Sequence, residues 1–176
     1  MENLFTFNMQ NFFDIFEIPT TFTIDRNLLE INYLKMTKKY HPDKFHEGED
    51  KKIAYQNTIT INKAYTTLSS DILRAEYLMS LKDITLGSDN DSIKPSQELL
   101  VTMLYLREFL ENIENNKKLK KFEMKLSKEF QNSCKEFEEY YENLQLDYAG
   151  QTAIKMRYLA RIDEEVKRKL DKSNVT

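Results

Sequence analysis

The sequence predicts an all-α chain in two parts, a helical hairpin carrying a His-Pro-Asp loop and then an antiparallel three-helix bundle. Three observations lead to this expectation. Among 176 residues there are only three Gly and three Pro, and 31% are charged, a composition of long solvated helices with few breaks. Apolar residues recur at helical spacing along most of the length. Neither a strand-type alternation nor an internal repeat is visible.

Asn11 to Ile18 is rich in Phe (Phe12, Phe13, Phe16), and Pro19 confines it to a helical turn or two. Asp25 is placed to cap the next helix, whose face is drawn by Leu29, Tyr33, Met36 and Tyr40. Pro42 ends that helix, because the residue before a proline is driven out of the α region. The polar stretch Phe45 to Lys52, with Gly48, reads as a loop. Ala54, Ile61, Tyr65 and Leu68 mark a second helix, antiparallel to the first. A short one over Ile72 to Leu81 uses Leu73, Tyr77, Leu78 and Leu81.

From Lys82 to Pro95 the chain turns polar, which predicts a domain boundary: a first domain over 1–82, a linker over 83–95 and a bundle over 96–176. The bundle's first helix runs from Ser96 to about Asn115 on Leu99, Met103, Leu106, Leu110 and Ile113. Its second carries Phe122, Leu126, Phe130, Phe137, Tyr141 and Leu144, and its third Leu159, Ile162, Val166 and Leu170. Short connections between amphipathic helices favour antiparallel packing.

A net charge of -3 offers no general basis for nucleic-acid binding. Cys134 is the sole cysteine, so the chain cannot form an internal disulfide, a multi-cysteine zinc site or an iron-sulfur cluster site by itself. With Phe130, Phe137 and Tyr141 around it, Cys134 reads as a small core residue. No apolar run is long enough to span a bilayer. Met1 to Asp25 holds no Lys or Arg, unlike a secretory or transit segment. The expected location is the bacterial cytoplasm, with a processed mitochondrial matrix protein as the alternative.

Lys35, Lys38, Lys39 and Lys44 crowd around His41-Pro42-Asp43, where a helix meets a loop. With Tyr40 before it, Lys44-Phe45 after it and Ile61-Asn62-Lys63-Ala64-Tyr65 beyond, this segment resembles the J-domain, which docks on DnaK-type chaperones. The chemistry suits such a role. Pro42 fixes a rigid, exposed turn, so little ordering cost remains at binding. Asp43 offers a carboxylate to a partner arginine, and the lysines steer toward an acidic surface. The resemblance implies a chaperone-binding set of Lys35, Lys38, Lys39, Tyr40, His41, Pro42, Asp43 and Lys44.

Four motifs in order extend the likeness to nearly the whole chain: Phe13-Asp14-Ile15-Phe16, His41 to Phe45, Arg74-Ala75-Glu76-Tyr77-Leu78 and Leu106-Arg107-Glu108. Together they resemble the HscB (Jac) family, co-chaperones of iron-sulfur cluster assembly. That resemblance implies two partners, the chaperone HscA and the scaffold protein IscU, and no enzymatic activity, cofactor, metal or small-molecule substrate. It also implies a scaffold-binding set of Leu100, Val101, Leu104, Glu108 and Tyr158. By periodicity, Leu100 and Leu104 form a second row on the first bundle helix with Arg107, Glu108 and Glu111, and such a row also arises when a core stripe widens. Tyr105 and Asn112 depart from the family pattern, standing where acidic residues are common.

Other readings have less behind them. His41, Asp43, His46, Glu47 and Asp50 are close in sequence, but without the helical His spacing of a metal site. No nucleophile partners His41, and no Gly-rich loop would hold a nucleotide phosphate. Nucleic-acid binding has only the lysine-rich helix in its favour. The principal alternative is a general J-domain protein whose bundle binds unfolded clients or dimerises.

Overall fold

The computed structural model describes residues 11–45, 47–88 and 90–173. Among these the protein is helical, with one isolated β-bridge and no strand. It divides into two compact units between Leu78 and Met79.

In the first unit, the Asn11 side chain accepts from the Phe13 N–H and starts α1 (Phe12–Ile15). Glu17 at φ 52° turns the chain out of the helix, and Phe13, Ile15 and Phe16 are buried. The Asp25 carboxylate caps α2 (Arg26–Lys39) by accepting from the Asn27 and Leu28 N–H groups. A 3-10 turn follows over Pro42–Lys44, then α3 (Glu49–Ser69) and α4 (Asp71–Ser80). The loop expected over 45–52 is shorter, since α3 already begins at Glu49, where Gly48 at φ 136° admits the chain. Two acidic residues in its first turn, Glu49 and Asp50, complement the positive helix end.

The buried stripe of α3 is Ala54, Asn57, Ile61, Ala64 and Leu68. Tyr65 lies beside it and stacks on Tyr33 of α2 with ring centroids 4.0 Å apart. In α4 the inward face differs from the expected one: Leu73 and Leu81 are each 39% exposed, while Arg74, Ala75, Leu78 and Met79 are buried. Arg74 has enough partners to sit inside. Its Nε donates to the Phe22 carbonyl at 2.6 Å, its other nitrogens to the Leu68 carbonyl and the Asp71 carboxylate. Asp71 also accepts from Arg26 at 2.7 Å.

The second unit opens with the polar run that reads as a linker, and here that run is folded onto its own unit. Leu86 and Ile93 form the β-bridge. The Gln151 side chain accepts from the Ser96 N–H at 2.9 Å and donates to the Lys94 carbonyl at 2.5 Å. A Cβ on Gly150 would press on the end of the Ile93 side chain, so the bare glycine lets Ile93 and Leu86 pack closely on the helix.

Three helices complete this unit: α5 (Gln97–Glu111), α6 (Asn116–Glu142) and α7 (Leu146–Ser173). Ser96 and Asn115 cap α5 and α6 with their side chains. The core unites Met103, Leu110, Ile113, Leu119, Phe122, Leu126, Leu159, Ile162 and Val166, with Leu99, Leu106, Phe130 and Leu170 packed at its edge. Leu144, expected in the stripe of α6, is 68% exposed at φ 57°. It belongs to the reversal between α6 and α7, where the Gln145 N–H reaches the Tyr140 carbonyl at 2.8 Å, as at a left-handed helix end. Cys134 is half-buried, and its neighbour Ser133 occupies the buried position.

Candidate functional site

Each unit presents its own surface. In the first, α2 stops at Lys39 because His41 precedes Pro42 and takes an extended conformation, φ -62° and ψ 126°. Tyr40 closes the helix: its N–H donates to the Met36 carbonyl at 2.9 Å, and its own carbonyl accepts from the Thr58 hydroxyl of α3 at 3.2 Å. Lys35, Lys38, Lys39 and Lys44 are exposed, and the Lys39 ammonium lies 5.4 Å from the Tyr40 ring centre.

His41 caps the 3-10 turn, its Nδ1 accepting from the Asp43 N–H at 3.3 Å. The Asp43 carboxylate lies 3.6 Å from the same Nδ1, with side-chain exposures of 52% for His41 and 82% for Asp43. Pro42 corrects the expectation of an exposed turn: it is buried. The proline thus anchors the tripeptide to the fold while the imidazole and the carboxylate stay in water. Rigidity comes from packing as well as from the fixed φ of the ring.

His46, one of the metal candidates, lies outside the described residues. Among the described residues no three His, Cys, Asp or Glu side chains gather as a metal site. Nor is any of their helices long and apolar enough to cross a membrane.

In the second unit, Leu100, Leu104 and Tyr158 meet. With Met103, Arg107 and Ile162 they line a shallow hollow of about 330 Å³ between α5 and α7. Leu100 is 39% and Leu104 65% exposed, too open for a widened core stripe. Arg107 holds one rim through Glu165 of α7 at 3.3 Å. Val101 and Glu108 are exposed on α5 outside this hollow. Tyr105, at one of the departures, is exposed, as is Asn112, which caps the helix end.

A second hollow, of about 400 Å³, was not foreseen. It runs between α5 and α6 and is lined in part by Leu106, Phe109, Phe122 and Leu126. Phe109 is 56% exposed and tilts against Phe122 at 5.2 Å. An apolar residue off the core stripe of α5 was the signal for it in the sequence. Lys155 closes one end, binding Glu129 at 2.6 Å and lying 3.5 Å from Glu136. Burial opposes its charge, but these two carboxylates prevail and raise its pKa above the ordinary lysine value.

A helical hairpin joined by a buried proline that presents a histidine and an aspartate, beside a lysine-bearing helix, defines a J-domain protein. A family model of the DnaJ domain matches residues 11–77, and one of the HSCB C-terminal oligomerisation domain matches residues 95–167. The chain belongs to the HscB-type J-domain co-chaperones.

Solved structures agree. Chaperone HscB from Vibrio cholerae is 27% identical, with a TM-score of 0.82 over 93% of this chain and 99% of that one. Human co-chaperone protein HscB is 22% identical, with a TM-score of 0.83 over 92% and 83%. The Jac1 co-chaperone from Saccharomyces cerevisiae is 20% identical, with a TM-score of 0.75 over 92% and 94%. At these last two identities the likeness is one of fold.

Proposed function

We propose that this co-chaperone stimulates the ATPase of an HscA-type, DnaK-like chaperone and delivers an IscU-type scaffold protein to it, assisting iron-sulfur protein maturation. The observation that carries the reading is the His41-Pro42-Asp43 turn, which holds two polar side chains in water on a buried proline. The chain catalyses nothing itself. Asp43 supplies a carboxylate and His41 an imidazole at fixed spacing, so a partner arginine or backbone group is met with little ordering.

The scaffold is assigned to Leu100, Leu104 and Tyr158, with Val101 and Glu108 at its edge. Open apolar side chains beside an Arg107–Glu165 pair suit an interface of apolar centre and polar rim. We place the protein in the bacterial cytoplasm, with the mitochondrial matrix as the alternative.

One experiment joins both halves. The purified protein is titrated into HscA-type chaperone and ATP, with and without scaffold, and scaffold capture is measured separately. Stimulation that His41→Gln abolishes, together with scaffold capture that Leu104→Ala weakens, is the expected result. Capture of varied unfolded proteins with the scaffold ignored would favour the general co-chaperone. A concentration-dependent dimer that fails to capture scaffold would favour self-association, the property for which the matching C-terminal family is named.

A further inference from the structure

We infer that Ile31 and Leu34 extend the docking face of α2 and make it a mixed basic and apolar surface for the DnaK-type chaperone, an inference that rests on the chaperone reading above. Ile31 is 62% and Leu34 59% exposed, whereas Leu29 is the buried residue of this helix. Tyr33 faces α3 through its stack on Tyr65. The two aliphatic side chains are therefore mostly left to solvent, and the packing of α2 on the hairpin rests chiefly on Leu29 and Tyr33.

Their spacing places them among the lysines. Ile31 is three residues from Leu34 and four from Lys35, and Leu34 is four from Lys38. Such positions are neighbours on a helix surface, with Cβ atoms about 5–6 Å apart. A partner that covers Lys35 and Lys38 therefore also covers Ile31 and Leu34.

The occupant must combine acidic groups for the lysines with an apolar recess for the two side chains. The face is continuous with the His41 turn at the end of the same helix, so the protein that meets the turn is the one that fits it. A lipid surface is the weaker fit, because it offers no defined group to meet the His41 turn that continues this face. The two kinds of contact divide the work. Exposed charges set approach and are screened by salt. Apolar contacts set how long the complex lasts and are largely insensitive to salt.

The test is a titration of HscA-type chaperone ATPase at low and high salt with wild type, His41→Gln and the double variant Ile31→Gln with Leu34→Gln. Truncating two contacts at the centre of an interface raises the concentration for half-maximal stimulation by about tenfold or more. The expected rise is equal at both salt concentrations, with helicity and melting temperature unchanged. If the glutamines disturb the helix, the alanine pair carries the same measurement. A double variant that titrates like wild type, while His41→Gln abolishes stimulation, overturns the inference and leaves the chaperone reading intact. Wild type that fails to stimulate removes both.

Two other occupants are read out on the same proteins. If sedimentation shows a dimer that the double variant dissociates without altering the titration, a second copy covers the face and the inference is wrong. Binding to phosphatidylserine vesicles that the double variant loses, again with an unaltered titration, overturns it in favour of a membrane.

Discussion

At the scale of single residues, His41 and Arg74 show how burial separates function from stability. His41 is half in water and bonds only within its own turn among the contacts described. His41→Gln is therefore expected to shift stability by no more than about 0.5 kcal/mol, the usual range for surface changes, while chaperone stimulation is lost. Thermal melting and an ATPase assay on one preparation check both. Arg74 is 2% exposed and donates to the Phe22 and Leu68 carbonyls and to Asp71. Arg74→Met keeps the volume of the stem but leaves a carboxylate and two carbonyls without this donor. The expected cost is about 3 kcal/mol, as when one partner of a buried pair is removed, measured by urea unfolding. Both residues stand in motifs that carry the family resemblance, yet only His41 is placed to meet a partner.

At the scale of elements, α5 has an inward stripe and an outward row one residue away. Met103 and Leu110 are buried, whereas Leu100 and Leu104 open into the hollow with Tyr158. Met103→Ala is expected to cost about 2–5 kcal/mol by leaving a cavity. Leu104→Ala should cost under about 1 kcal/mol of stability and weaken scaffold capture by about tenfold or more. Equal losses of stability at the two positions, with capture unchanged, would return Leu104 to the core.

The pair α6 and α7 has a pH signature of its own. A lysine with a raised folded pKa contributes stability that is fully present below its unfolded value, 10.5, and is lost as pH rises through the folded one. Lys155→Met lacks this term, so wild type should lose more stability than the variant as pH is taken above 10.5. Denaturant unfolding across that range measures the difference, and parallel curves would mean the Glu129 and Glu136 contacts contribute nothing.

At the scale of the molecule, the net charge of -3 conceals a local excess of positive charge on α2. If Lys35, Lys38 and Lys39 steer docking, association with the chaperone should slow as salt rises, since exposed charges are screened over about 8 Å at physiological ionic strength. Replacing the three by Gln should flatten that dependence. Stopped-flow mixing at several salt concentrations decides it, and identical slopes would sink steering.

The sequence alone determined the helical class, the cap at Asp25, the end of α2 before Pro42 and the order of the motifs. All of these are encoded within a few residues, by spacing, side-chain chemistry or the geometry of proline. What lay between distant segments required the tertiary structure. The buried course of Pro42 depends on α3 coming to meet it, and Arg74 could turn inward only because Phe22 and Leu68 offer it carbonyls. Ala149 and Ala153 left no trace in the apolar pattern, yet they are buried in α7, because a small residue is read as core only when a neighbour is seen against it. Gly150 lies under the Ile93 and Leu86 side chains, a close approach that its missing side chain does not announce until those residues are seen over it. Leu100 and Leu104 were ambiguous by periodicity, for one helix does not say how wide a face its neighbours cover. Only the packing of α7 against α5 decided which leucines the core keeps and which the solvent sees.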